Sequence, residues 1–269
     1  MISLPELLVY RYRIPVKNVK LKRIYQFSDT HLSLWDELSS DEEKEKAAAR
    51  TADWEKGRFA FAESFGEPQG ESQSLPARTF FLSLLEASEE GDALIMAGDI
   101  VDFYTDCNAR FLTDVLKDYS IPYIPICGNH DEPEKLPDGH PYKSALKPVQ
   151  KMDLGDMVIL GFDNSKRIIT QEQIEILNSA FQENKPVLIA MHIPIVTEIG
   201  NDYYNLNYEG CPDENLEFLE LIKDNAEKII AVTCGHLHGI KVFNLCPGVT
   251  QYVSSQGLIG SLSAYEIGE

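Results

Sequence analysis

Several chemistries are absent from this chain. Cysteine is sparse: Cys107, Cys127, Cys211, Cys234 and Cys246 are the full set among 269 residues, and no two are closely spaced. An odd count without close pairs argues against a disulfide framework or a zinc finger and fits reduced thiols in a cytoplasm. Cys127 and Cys234 end apolar runs and read as small core residues, not nucleophiles. Basic residues are also few. Lys and Arg number 24 against 43 Asp and Glu, a formal net charge of −19. Nucleic-acid binding calls for a basic footprint, so that class of partner is argued against. Nuclease activity at a metal site is not excluded. There is no run of the roughly 18 apolar residues that a membrane span needs. The opening Met-Ile-Ser-Leu-Pro-Glu lacks a basic segment followed by an apolar one. No signal peptide is therefore expected, and the expected location is cytoplasmic. Internal repeats, glycine-rich phosphate loops and nucleotide-cofactor motifs are missing. What remains is ordinary for a globular protein, 43% hydrophobic and 25% charged. The length predicts one domain over residues 1–269 with a good core.

Histidine is scarce too, and its placement is informative. Five of the six histidines fall in an ordered set with Asp and Asn. Asp29-Thr30-His31 comes first, then Gly98-Asp99-Ile100-Val101-Asp102, then Gly128-Asn129-His130-Asp131. His192 stands before Pro194, and Gly235-His236-Leu237-His238 ends the set; His140 lies outside it. Asp, Asn and His bind hard to borderline divalent metals through oxygen and imidazole nitrogen. Each motif directly follows a short apolar run: 23–27, 92–97, 121–127, 186–191 and 228–234. Runs of this length, flanked by turn residues, suit strands buried on both faces. In such α/β sheets ligands bind beyond the carboxyl ends of the strands. Five strand ends bearing metal-binding side chains can therefore converge on one site. Singly, Asp-x-His or Gly-Asp is an ordinary turn; the signal is the ordered set.

That set resembles the calcineurin-like metallophosphoesterase superfamily over about residues 23–245. The resemblance implies an α/β fold with a central β-sandwich flanked by helices, in four layers. It implies a hydrolase holding two divalent or trivalent metal ions, with manganese, iron and zinc all suited to the donors. Asp29, His31 and His238 would hold the first metal and Asn129, His192 and His236 the second, with Asp99 bridging both. By the same resemblance a metal-bridging hydroxide attacks phosphorus, His130 protonates the leaving oxygen, and Asp102 orients His130. The expected substrate is a small-molecule phosphodiester or phosphomonoester, with cyclic nucleotides one candidate, so the activity is that of a phosphodiesterase or phosphatase. Two alternatives stand beside it. A nuclease is opposed by the acidic composition. A metal-binding scaffold without catalysis is opposed by the retention of His130 and Asp102. No membrane partner is expected, and no protein partner can be read from the sequence.

Position 103 departs from the protein phosphatase branch, which has Arg after the second Asp where this chain has Phe103 and Tyr104. Arg is the natural bidentate phosphate binder, and its loss predicts a preference for diesters unless Lys166 or Arg167 reaches the pocket. The aromatic pair either packs on a leaving group or is simply core and surface. Three stretches lie outside the motifs. Residues 1–25 carry six basic and one acidic residue, either a patch for an acidic partner or an outer strand with solubilising charges. Residues 36–74 form an acidic helical insert. Ser40 and Glu43 read as a capping box, Trp54, Phe59, Phe61 and Phe65 as apolar anchors, and 66–74 as a loop. From Asp36 to Glu71 it holds eleven acidic and five basic residues. It is either a lid over the site or a solvated decoration. Residues 198–208, just past His192, carry Tyr203, Tyr204 and Tyr208, which either stack on a substrate ring or pack on their own scaffold.

Overall fold

The computed structural model describes residues 7–65, 74–196 and 204–269, with 55–65 and 74–75 described by backbone alone. Residues 66–73 of the predicted trailing loop and 198–203 of the tyrosine stretch lie outside the described residues, while Ser74, expected in the loop, opens a helix. Two mixed sheets stack face to face. The first has the order β1 (Leu8–Ile14), β11 (Ser261–Ile267), β2 (Lys22–Phe27), β3 (Ala93–Ala97), β4 (Tyr123–Ile126). The second runs β5 (Val149–Asp153), β6 (Val158–Phe162), β7 (Val187–Met191), β8 (Ile229–Cys234), β10 (Val249–Val253), β9 (Lys241–Cys246). The helices α2 (Ser74–Glu90), α3 (Asp106–Leu116) and α4 (Pro141–Ala145) belong to one half of the chain, and α5 (Gln171–Ala180) and α6 (Asp213–Asp224) to the other.

Period-two alternation explains the layers. In β3, Ala93, Ile95 and Ala97 face the apolar layer between the sheets, while Leu94 and Met96 face the layer shared with α2 and α3. In β7, Leu188 and Ala190 join the inter-sheet layer, while Val187, Ile189 and Met191 pack toward α5 and α6. A strand with two buried faces needs apolar residues at every position, which is why these runs read as continuous. The result is helices, sheet, sheet, helices: the α/β sandwich of the sequence reading. Thr170 and Gln173 close a capping box on α5.

The first two strands do not pair with each other. β11 runs between them, parallel to β1 and antiparallel to β2. Some of the basic residues there are matched locally: Arg23 lies 2.6 Å from Glu90 and 3.5 Å from Glu266, and Arg11 3.5 Å from Glu86. β1, which carries Arg11 and Arg13, is an edge strand of its sheet.

Beyond the strand ends the motif segments stay zipped together. The amides of Asp29, His31 and Leu32 donate to the carbonyls of Gly98, Asp99 and Ile100 at 2.9–3.0 Å, and the Asp102 amide donates back to Leu32. The Gly235 amide donates to the His192 carbonyl at 2.9 Å. Below them Gln26 Nε2 donates to the Cys234 carbonyl at 2.9 Å, tying the two sheets under the site.

Close approach explains two motif glycines. A Cβ on Gly128 would lie 2.1 Å from the Asp99 amide nitrogen, and one on Gly235 would lie 2.5 Å from Ser28 Cβ. Gly128→Ala should therefore lower the melting temperature by about 2–10 °C, from an overpacking cost of about 1–3 kcal/mol. On Gly239 an added Cβ meets nothing closer than 3.9 Å, and Gly239→Ala should melt within about 2 °C of wild type. Thermal unfolding of both variants measures the contrast.

Candidate metal centre

The strained backbone marks the site before any side chain is considered. Eight described non-glycine residues have positive φ, and five of them are Asp29 (54°), His31 (46°), Asp99 (51°), His236 (73°) and His238 (54°). Left-handed backbone at such residues costs on the order of 1–3 kcal/mol each and persists where surrounding structure imposes it. Here it turns each side chain from its strand end into a common space.

The carboxylates and imidazoles meet in two groups. Asp29, His31 and His238 bring donor atoms within 4.8 Å of one another, and so do Asp99, His192 and His236. His31 Nε2 lies 3.1 Å from His238 Nε2, and His238 Nε2 lies 3.4 Å from Asp29 Oδ1. His192 Nε2 lies 3.2 Å from Asp99 Oδ2 and 3.2 Å from Asn129 Oδ1. Asp99 Oδ2 is also 3.9 Å from His31 Nε2. It thus stands between the two groups. All seven residues singled out as metal donors are in this cluster.

Partners behind the rings fix which nitrogen points inward. His192 Nδ1 donates to the Ala97 carbonyl at 2.8 Å, leaving Nε2 as a lone-pair donor. His31 Nδ1 faces Asp102 Oδ1 at 3.1 Å, so its Nε2 lone pair points at His238. Two imidazole lone pairs aimed at one point repel unless a cation lies between them. The donor set, Asp, Asn and His with no thiolate, therefore fits manganese, iron or zinc. With no cation between the donors, burial opposes charge on His192, but the Asp99 and Asp29 carboxylates outweigh it, draw a proton onto the ring and raise its pKa to about 10; a bound cation would take that proton's place. His236, buried beside His192, is pushed down to about 4. Burial opposes the charge on Asp29 as well, and His238, His192 and His31 together hold it well below the usual carboxylate range.

Asp102 does more than orient one ring. Its Oδ1 is 3.1 Å from His31 Nδ1 and 3.1 Å from His130 Nδ1. Arg50, from α1 (Asp41–Phe65), donates to both its oxygens, with Nη2 at 3.0 Å from Oδ1 and Nε on Oδ2. These hydrogen bonds outweigh burial and hold Asp102 ionised. The bond to Asp102 outweighs the burial of His130 and raises its pKa above the usual imidazole value. The cap of α3 is Thr105, so Asp102 has no capping duty. Asp131 accepts from the amides of Val101 (3.1 Å) and Gly128 (2.8 Å), locking the Asn129–His130 turn. Burial and the nearby Asp99 charge push its carboxyl up to about 7.

Several contributors were not legible in the sequence. Asn164 Oδ1 accepts from the His192 and Ile193 amides at 3.2 and 3.0 Å and so sets the His192 turn. Arg50, one helical turn before Trp54, brings a guanidinium to Asp102. Phe103 is core, 4% exposed, and the half-buried Tyr104 donates its hydroxyl to Asp106. Arg167 stacks on Tyr208 at 4.1 Å and donates to the Asn205 carbonyl. Lys166 is exposed. Tyr204 lies 6.1 Å from the His236 ring. His140 is structural, accepting from the Tyr142 amide at the start of α4. Burial raises the pKa of the Cys127 thiol and keeps it protonated.

The family model of the calcineurin-like phosphoesterases matches residues 22–239. The chain belongs to that family. The match takes in every candidate ligand of this phosphoesterase-family chain. A protein named DNA double-strand break repair protein Mre11 from Sulfurisphaera tokodaii is 26% identical over 174 residues, covering 60% of this chain and 42% of its own. A probable cyclic nucleotide phosphodiesterase from Synechococcus sp. is 28% identical over 170 residues, covering 58% of this chain and 64% of its own. The chain therefore spans less than two thirds of either relative. A dimetal phosphatase structure from Danio rerio superposes with a TM-score of 0.58 at 10% identity, covering 88% of both chains. At that identity it shows the shared fold. Among the described residues no helix is long and apolar enough to cross a membrane.

Removing one shared donor should act on both groups. Asp99→Asn is expected to leave well under two equivalents of bound manganese by metal analysis. Asp29→Ala, which removes a donor atom of the first group alone, should chiefly empty that site and leave about one equivalent. Two full equivalents on Asp99→Asn would contradict the bridging position.

Proposed function

We propose that this chain is a metal-dependent phosphoesterase that hydrolyses a small-molecule phosphodiester or phosphomonoester, with cyclic nucleotides one candidate. The observation that carries the proposal is His130 beside the donor cluster: its Nδ1 faces the Asp102 carboxylate at 3.1 Å and its side chain is 32% exposed. A metal-holding scaffold has no use for a solvent-facing imidazole held by a buried carboxylate. In this reading Asp29, His31 and His238 would hold one ion, Asn129, His192 and His236 a second, and Asp99 would serve both. Two such ions, when bound, neutralise phosphate oxygens and lower the pKa of a bound water.

The residues do the rest. Asp102 accepts the Nδ1 proton of His130, so Nε2 is the edge that meets substrate. That edge donates a proton to the leaving oxygen as the ester bond breaks. The hydrogen bond to Asp102 raises the pKa of the ring above the usual imidazole value, which favours the protonated form that an acid needs. The amide of His130 donates to Asp99 Oδ1 at 2.7 Å, which ties the acid to the residue between the two groups. A net charge of −19 favours a small substrate over a polynucleotide, whose phosphates would meet an acidic surface. The relative named Mre11 keeps a nuclease as the second reading.

Hydrolysis of bis-p-nitrophenyl phosphate and p-nitrophenyl phosphate, with and without manganese, tests the activity. His130→Gln should keep its metal and lose about 10²–10⁴-fold in kcat on esters with alkoxide leaving groups. The loss should be much smaller on nitrophenyl esters, whose leaving groups need little protonation. An equal loss on both would show that His130 positions phosphate instead.

A further inference from the structure

α1 enters the site in a way that ordinary helix packing does not explain. Glu43, Ala47, Arg50 and Trp54 are spaced i, i+4, i+7 and i+11, one stripe of the helix, and this stripe is its less exposed side. A helix docked by a core would carry an apolar stripe; here only Ala47 and Trp54 are apolar. The polar members reach specific targets. Glu43 accepts from the Asp106 amide at 3.4 Å, and Arg50 forks onto Asp102. Beside the stripe, Lys46 lies 4.2 Å from the centre of the Phe103 ring.

Two members sit against the reacting groups. Arg50 Nη2 and His130 Nδ1 both lie within 3.1 Å of the same Asp102 oxygen. Arg50 spends Nε and Nη2 on that carboxylate. Its Nη1 is 3.9 Å from Asp53, beyond hydrogen-bond reach, and the side chain is 33% exposed. Trp54 stacks on the His31 ring at 4.2 Å and lies 5.3 Å from His238 and 6.5 Å from His130. Its indole N–H is buried without a hydrogen-bond partner among the described residues. Leaving a buried donor unpaired is costly; beside a phosphoester site, a bound oxyanion is the acceptor that would relieve it.

Resting on the phosphoesterase reading, we propose that α1 supplies a substrate-binding wall in which Arg50 Nη1 and the Trp54 indole N–H donate hydrogen bonds to oxygens of the bound phosphoester. The guanidinium is charged at any working pH, and a charge-assisted bond grows with the charge on its acceptor. The wall therefore favours a monoester dianion over a diester anion and removes the premise for a diester preference. It also makes Arg50 and Trp54 specificity-determining residues contributed by the 36–74 stretch.

The test uses the full chain loaded with manganese. In a Trp35→Phe background Trp54 is the sole tryptophan. Titration with inorganic phosphate should change its emission saturably, and adding Arg50→Ala should weaken the apparent phosphate affinity by about fivefold or more. Arg50→Ala should raise KM about tenfold for p-nitrophenyl phosphate and about threefold or less for the bis ester. Arg50→Lys, which keeps the charge, should recover part of the difference. Trp54→Phe, which keeps the ring and removes the donor, should raise KM for both esters with metal content unchanged. A helix that is only docked there predicts equal losses on the two esters and no phosphate-dependent emission; either result overturns the wall. A wild-type protein that hydrolyses neither ester overturns the phosphoesterase reading instead, and the phosphate titration still decides whether α1 meets an oxyanion.

Discussion

The Asp99 carboxylate is the point on which the architecture turns. It is 1% exposed, accepts the His130 amide at 2.7 Å and faces His192 at 3.2 Å and His31 at 3.9 Å. Those contacts join the ends of β2, β3, β4 and β7, drawn from both sheets. A buried charge costs several kcal/mol unless it is paired, and Asp29, also fully buried, lies nearby. Lone pairs on the inward imidazole nitrogens do not offset that cost, so the arrangement makes sense around cations. The backbone carries the same logic: five left-handed residues converge at one spot. Three apolar layers supply the rigidity that holds them there.

The strands that end in motifs were legible because burial on two faces leaves no choice of residue. The candidate ligands were legible because Asp, Asn and His in a fixed order at five strand ends serve one chemistry. Other parts were hidden for physical reasons. That β11 would run between β1 and β2 depends on pairing across nearly the whole chain. β9 reads weakly because its first residues, Lys241 and Val242, are exposed at a sheet edge. Asn164 and Gln26 are ordinary polar residues whose hydrogen bonds exist only once the sheets meet. Arg50 lies in an acidic, charge-dense stretch where nothing local says which charge turns inward.

The acidic surface and the site fit together in this account. Most of the excess carboxylate is solvated, whereas the few buried carboxylates are those that hold the centre. α1 adds the opposite charge where substrate would arrive: Arg50 at Asp102, with Lys46 one turn earlier. In the proposed reading, an anionic exterior around a metal-loaded centre would select for small esters, and the selection would rest on a handful of inward groups.

If the buried donors are built around cations, folding and metal binding must be linked. The direct measurement is the melting temperature of the metal-stripped chain, with and without manganese at about one hundred times its dissociation constant. Binding to the folded state alone is worth about 2.7 kcal/mol per site under those conditions. A chain of this size should therefore melt at least about 5 °C higher with the metal, and chelation should reverse the gain. An unchanged melting temperature, with fewer than two ions bound per chain, would contradict the account.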